Sequence, residues 1–390
     1  MLTPEDIHSE FRKVRAGIDH RPVPESAALD GFPSDIPLDG PHAKRQLDEI
    51  SELLDAHPRF SERFDFSWAT DPASYSISLE LTLQAVLIAA LADSDQDHPD
   101  LARLRPTVVR CVMNPQFSST CISADEVDFI CISQGFIKFM QIFVGSMIDF
   151  HDIGRWIHGE TKLADTNLVF GQDAERTLRT VPEAGKEICQ GIVNAGFNIA
   201  GGEHVSHHST ISERLADDIG RHAPTLVIAM IACEGFIVCH ELAHFLKGHK
   251  QKLVRSIDDE VGADESGTSL LIVASATLKP LPAGTLFGPP VFFQLARLYE
   301  MMHRVRAMMY EPGDVSKFIA SENELKLRMK LTGRYIAKHI PMPHERSPYW
   351  EIVNEIGVVI RGCQLYMLEV FTKEKRDFDS PEEEPHLYTR

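Results

Sequence analysis

The sequence predicts a mainly helical α+β fold with a small sheet, and three observations predict it. Apolar residues recur at helical spacing along much of the chain, most clearly after residue 223. Two short runs, "PTVVRCVMN" (106–114) and "VDFICIS" (127–133), are instead rich in branched and aromatic residues, the pattern of strands. With 390 residues and 43% hydrophobic content, the chain can fill one large core or two ordinary ones.

Taken in order, residues 1–41 read as a proline-rich N-terminal arm, since "HRPVPESAALDGFPSDIPLDGP" (20–41) carries five prolines and little apolar periodicity. Residues 42–390 read as one domain. It begins with "HAKRQLDEISELLDAH" (42–57), where Leu47, Ile50, Leu53 and Leu54 share a helical face, and with the more deeply buried helix "SLELTLQAVLIAALADS" (78–94). The two strand runs follow; Gly135 closes the second, and "FIKFMQIFVGSMIDF" (136–150) resumes helical spacing. Residues from about 150 to 222 read as an inserted subdomain, with turn signals, one helix and a glycine-rich loop in "VPEAGKEICQGIVNAGFNIAGGEHVSHHST". After 223 come a helix to about 249, another from about 257, and a C-terminal helical part from about 286. Pro280, Pro282, Pro289, Pro290 and Pro312 mark its joints.

A formal charge of −18 argues against nucleic acid or anionic lipid as the main partner, because either needs a basic stripe to displace counterions. The apolar stretches 129–150 and 226–239 do not read as membrane spans: the first contains Gln134 and Lys138, and the second is short and contains Glu234. Seven cysteines, with Cys121, Cys131, Cys233 and Cys239 inside apolar runs, read as packed thiols and not as a disulfide framework. The opening "MLTPEDIHSEFRKVRAG" has no apolar core before a small-residue cleavage site, so the expected compartment is the cytoplasm.

The chemistry lies in "CHELAHFLKGH" (239–249), where His240-Glu241-Leu242-Ala243-His244 matches H-E-x-x-H. On a helix, residues four apart lie about 40° apart on one face, so both imidazoles can point at one ion. Zinc accepts neutral imidazole nitrogens and keeps a position for water when three protein ligands bind. Glu241 then stands beside that water as general base, and as acid toward the leaving amine. Downstream, "DDEVGADESGTSLLIVA" offers Glu260 and Asp264 on one helical face: Glu260 as the third ligand, with Asp259, Asp264 and Glu265 as competitors, and Asp264 as the acceptor that fixes a histidine tautomer.

These residues give the sequence its resemblance to a family. "HELAHFLKGH" followed by "EVGAD" resembles the H-E-x-x-H and E-x-x-A-D pair of gluzincin zinc metallopeptidases. It is similar to that of the CAAX-prenyl-protease and Oma-type family and, without that family's membrane helices, to soluble Lit-like phage-exclusion peptidases. The resemblance implies a zincin-like core, a Zn2+ cofactor, and a protein or peptide substrate. It also implies that "FICISQGFIKFM" (129–140) supplies the edge strand along which substrate lies.

Other histidines and thiols read as structural. His249, nine residues from His240, falls near the opposite side of a continued helix and reads as a helix-end cap. "EHVSHH" (203–208) reads as a polar loop, and Cys233 and Cys239 as packing. His303, Arg304, Arg306 and Tyr310 are considered as donors to the oxyanion of the tetrahedral intermediate. Two other functions share the ligand set: zinc hydrolysis of a non-peptide amide, and a regulatory protein with a structural zinc.

Overall fold

The computed structural model describes residues 4–18, 41–56, 77–92, 105–112, 114, 117–125, 127–157, 182–200, 223–249, 255–278, 287–310, 315–339 and 356–370. Their order is α1 (Pro4–Ile18), α2 (Pro41–Ala56), α3 (Ile77–Ala92), β1 (Thr107–Val112), β2 (Ser119–Ser123), β3 (Asp128–Ser133), α4 (Gln134–Ile157) and α5 (Pro182–Ala200). There follow α6 (Ala223–Leu246), α7 (Ile257–Thr277), α8 (Gly288–Tyr310), α9 (Val315–His339) and α10 (356–370). The chain is α+β and mainly helical, with a three-stranded sheet.

The sheet runs β1-β3-β2, with β1 parallel and β2 antiparallel to β3. The strand run at 127–133, expected at the edge, is therefore the centre of the sheet. Its residues bond on both sides and are buried at all six positions, which is why the run is apolar without alternation. The edge is β2, "STCIS", half-buried and rich in hydroxyls, with no alternation that would announce a strand.

The two edges of this sheet differ. Along β1, side chains of α3 take the outward backbone groups: Gln84 Nε2 donates to Thr107 O at 3.1 Å, Val109 N donates to Gln84 Oε1 at 2.9 Å, and Cys111 N donates to Glu80 Oε1 at 2.8 Å. Glu80 also pairs with the fully buried Arg110 at 3.1 Å, so the two charges offset one another in the core. Capped in this way, β1 cannot accept another strand. In β2, Ser133 N donates to Ser118 O and Ala124 N to Val127 O. The antiparallel alternation then turns residues 118, 120, 122 and 124 toward β3, and leaves the backbone groups of Ser119, Cys121 and Ser123 on the outer edge.

At the centre stands α6, packed by α7, α8, α3 and α4 and touched by β2 and β3. Its residues Ala229–Leu246 are long and apolar enough to cross a membrane, further than the shorter run seen in the sequence, but 83% of that window is buried within the protein. A core helix passes the same test of length and composition. Glu234 lies inside it, and burial raises its pKa to about 8, so it sits protonated in the core at neutral pH. Packing against α6 demands small residues: a Cβ on Gly267 of α7 would meet His240 Cα and N at 2.8 Å, and one on Gly288 of α8 would meet Ala232 O at 2.3 Å. Fully buried Phe236 of α6 packs on Phe293 of α8, ring centroids 5.9 Å apart, and burying each ring contributes about 2–3 kcal/mol of transfer free energy.

The helical part of the N-terminal arm belongs to this core. Ile7 and Phe11 of α1 are buried, with Phe11 5.5 Å from Phe129 and the Arg110 guanidinium 5.1 Å over its ring. The proline-rich stretch 20–40 lies outside the described residues, as does "EHVSHH". Within 150–222, α5 packs on α4 and α8 and shares the core through Cys189, Ile192 and Val193.

Candidate metal centre

The apolar character of α6 buries its C-terminal turns, so His240, Glu241 and His244 sit in the core at 7%, 3% and 0% exposure. Opposite them, α7 starts sharply. Ser256 Oγ accepts from Asp259 N at 3.2 Å while Asp259 Oδ2 accepts from Ser256 N at 3.0 Å, a reciprocal capping box that sets the helix phase. With Gly267 allowing close approach one turn beyond Asp264, that phase aims Glu260 and Asp264 at α6.

The result is a convergent cluster. His240 Nε2 lies 3.1 Å from His244 Nε2 and 3.3 Å from Glu260 Oε2, and His244 Nε2 lies 3.4 Å from Glu260 Oε1. Among the described residues, His240, His244 and Glu260 form a group that could hold a metal ion. Asp259, considered in the sequence as a rival, is engaged by the cap. Asp264 faces the other nitrogen of His240, its Oδ1 2.9 Å from Nδ1.

This donor set fits zinc. Ligand atoms about 2.0–2.1 Å from a tetrahedral centre lie about 3.3–3.4 Å apart, close to the spacings found here. With Nδ1 of His240 turned to a carboxylate, Nε2 carries the lone pair a cation would receive. Next to the cluster, Glu241 Oε1 accepts from Ser119 Oγ at 2.7 Å, while Glu241 Oε2 is buried without a hydrogen-bond partner. A buried carboxylate oxygen that accepts no hydrogen bond beside three converging donors is costly unless something occupies the space between them.

Charge is balanced by two arginines that sequence spacing did not single out. Arg328 of α9 donates from Nε to Asp264 Oδ2 and from Nη2 to Asp264 Oδ1, both at 2.8 Å, and its Nη1 lies 3.1 Å from Glu260 Oε2. Its guanidinium stands 5.6 Å over the Phe293 ring. Arg255, just before α7, lies 3.7 Å from Glu241 Oε2 and 3.8 Å from Glu260 Oε1. Among the oxyanion candidates from the sequence, Arg306 instead donates to the Phe197 carbonyl on α5, and the Tyr310 side chain lies outside the described residues.

These contacts set the protonation states. Burial opposes the imidazolium of His240, but Asp264 and Glu260 outweigh it and raise its pKa to about 9; at His244 burial prevails and the pKa is lowered. Burial also opposes ionisation of Glu260 and Asp264. His240, His244 and Arg328 nevertheless hold Glu260 well below the usual carboxylate range, and Arg328 with His240 lowers the pKa of Asp264.

His249 is placed differently from the helix-end cap expected. The helix stops at Leu246, Gly248 takes φ +70°, and the chain folds back so that His249 Nδ1 lies 3.1 Å from His244 Nδ1. Its Nε2 lies 3.3 Å from Asp259 Oδ1. The argument from helical angle fails because the helix ends before residue 249. Gly248 was the signal that could have shown it. Arg328 left no such signal: it is 64 residues from Asp264, on a separate helix.

Comparison of the chain with protein-family models, with curated proteins and with solved structures finds no match in any of the three.

Proposed function

We propose that the chain is a zinc-dependent metallopeptidase of gluzincin type with a zincin-like core, acting on a protein or peptide. The observation that carries this reading is the pairing of three converging donors, His240, His244 and Glu260, with the buried Oε2 of Glu241 beside them, which accepts no hydrogen bond and has only a long 3.7 Å contact with Arg255. A structural site needs no such carboxylate and leaves no such vacancy in its hydrogen bonding.

When bound by His240, His244 and Glu260, zinc supplies a Lewis acid and a water that ionises near neutral pH. The residues around it have separable tasks. Ser119 holds Oε1 of Glu241, which leaves Oε2 to take a proton from the attacking water and return it to the leaving amine. Asp264 orients His240, and Arg328 clamps Asp264 and reaches Glu260, so α7 is tied to α9 directly and to α6 through His240. Substrate lies along the outer edge of β2, which offers the backbone groups of Ser119, Cys121 and Ser123, and the side chain of the same Ser119 meets Glu241.

The test is Glu241→Gln, with metal content and casein cleavage measured together. The variant is expected to keep its fold and one zinc per chain while losing proteolysis by 10³-fold or more, about 4 kcal/mol of barrier. His244→Ala is expected to lose the metal. Undiminished cleavage by Glu241→Gln, or a wild-type zinc content well below one per chain, overturns the reading.

A further inference from the structure

We infer that Arg255 is a catalytic residue: its guanidinium receives the negative charge that develops on the scissile carbonyl oxygen. The inference rests on the peptidase reading above and assigns a role that the metal ligands and Glu241 leave open.

The argument starts from what Arg255 does with its donors. A guanidinium has five N–H groups. In this structure Nη2 donates to the Cys121 sulfur at 2.9 Å, and among the described residues the carboxylates near Nη1 are Glu241 and Glu260, at the long distances of 3.7 and 3.8 Å. A thiol is a weak acceptor, and burial pushes the Cys121 thiol up to about 12, so it is neutral at working pH. Arg328 makes the contrast: its donors are spent on Asp264 at 2.8 Å, and its side chain is 11% exposed against 25% for Arg255. One arginine is built in as a clamp. The other is held loosely and is a quarter exposed.

Its position gives those donors a target. Arg255 lies about equally far from the base that activates water and from the carboxylate of the metal cluster, on the side where β2 presents Cys121. A peptide added along the outer edge of β2 brings a carbonyl between Glu241 and Glu260, under the Nη1 edge of the guanidinium. When the water oxygen bonds to that carbonyl carbon, the water proton goes to Glu241 and the π electron pair moves onto the carbonyl oxygen. Arg255 then exchanges two long contacts for one short charge-assisted bond, an interaction gained in the transition state and absent before it. Losing a single oxyanion donor typically costs 10²–10³-fold in rate.

The experiment uses the full chain loaded with zinc, and with cobalt as a spectroscopic stand-in. Arg255→Gln and Arg255→Lys are titrated with an N-phosphoryl dipeptide, whose tetrahedral anion mimics the charged state, and assayed for kcat and KM on casein. The expected result is probe binding weakened about 100-fold in Arg255→Gln and less in Arg255→Lys, with kcat falling in parallel and KM nearly unchanged. The cobalt absorption spectrum and zinc content should match wild type. Unchanged probe binding with an intact cobalt spectrum overturns the inference while Glu241→Gln still reports on the peptidase reading. A disturbed cobalt spectrum also overturns it, assigning Arg255 to the support of Glu260. Failure of the wild-type protein to bind the probe overturns it as well.

Discussion

Replacing Gly267 by alanine adds one methyl group at the point where α7 crosses the backbone of His240. The new Cβ would lie 2.8 Å from His240 Cα and N and 3.1 Å from Cys239 C, all rigid backbone atoms, so the helices must part by at least about 0.6 Å to reach ordinary contact at 3.4 Å. Two effects compete. Removing a helical glycine gains about 1 kcal/mol, and overpacking costs about 1–3 kcal/mol, so a net loss of about 0–2 kcal/mol is expected. The site is more sensitive than the fold, because ligand constellations tolerate only about 0.5 Å of misplacement. Glu260 and Asp264, on the same helix, move away from His240 with it. Zinc affinity should fall tenfold or more, read by competition with a chromophoric chelator, alongside urea unfolding of the metal-free protein. Gly262→Ala is the matched control: its Cβ meets only the Lys247 side chain, at 3.7 and 3.9 Å. It should stabilise the protein by about 0.5–1 kcal/mol and leave zinc binding unchanged. The reasoning is refuted if Gly267→Ala behaves like this control.

His249→Ala should weaken zinc binding by about 10–100-fold with little effect on metal-free stability, since the ring orients His244 and its side chain is only partly buried; wild-type affinity in a chelator competition would deny it that task. Metal-free stability should depend on His240, whose pKa is raised to about 9: the folded state holds this proton more tightly than the unfolded chain, so the contribution is full below about pH 6.5 and lost as pH rises through about 9. The loss amounts to about 3 kcal/mol at most and should disappear in the zinc-loaded protein, where the proton has been displaced. Melting temperatures of the metal-free protein that stay level from pH 6.5 to 9.5 would contradict this.

Much of the molecule was legible because its signals are local. Helical periodicity marked α2, α3, α4 and the helices after 223, and the burial of α6 follows from its long apolar run, interrupted before the motif only by Glu234. His240, Glu241, His244, Glu260 and Asp264 could be read together because four-residue spacing sets a shared helix face before any tertiary contact forms. The capping residues Ser256 and Asp259 are equally local and fix where α7 begins.

What only the tertiary structure decided involves partners distant along the chain. Strand order is one case: an apolar run shows that both faces of a strand are buried and says nothing about its neighbours, so β3 became the centre and the hydroxyl-rich β2 the edge. The arginines are another, since Arg328 meets Asp264, and Arg255 meets Cys121 and Glu241, only through packing of separate elements. His249 lies between the two cases, local in sequence but redirected by a single left-handed glycine. The sequence by itself determined which side chains share a helix face; the fold decided which faces meet, because contact between elements depends on close packing that no short stretch of chain encodes.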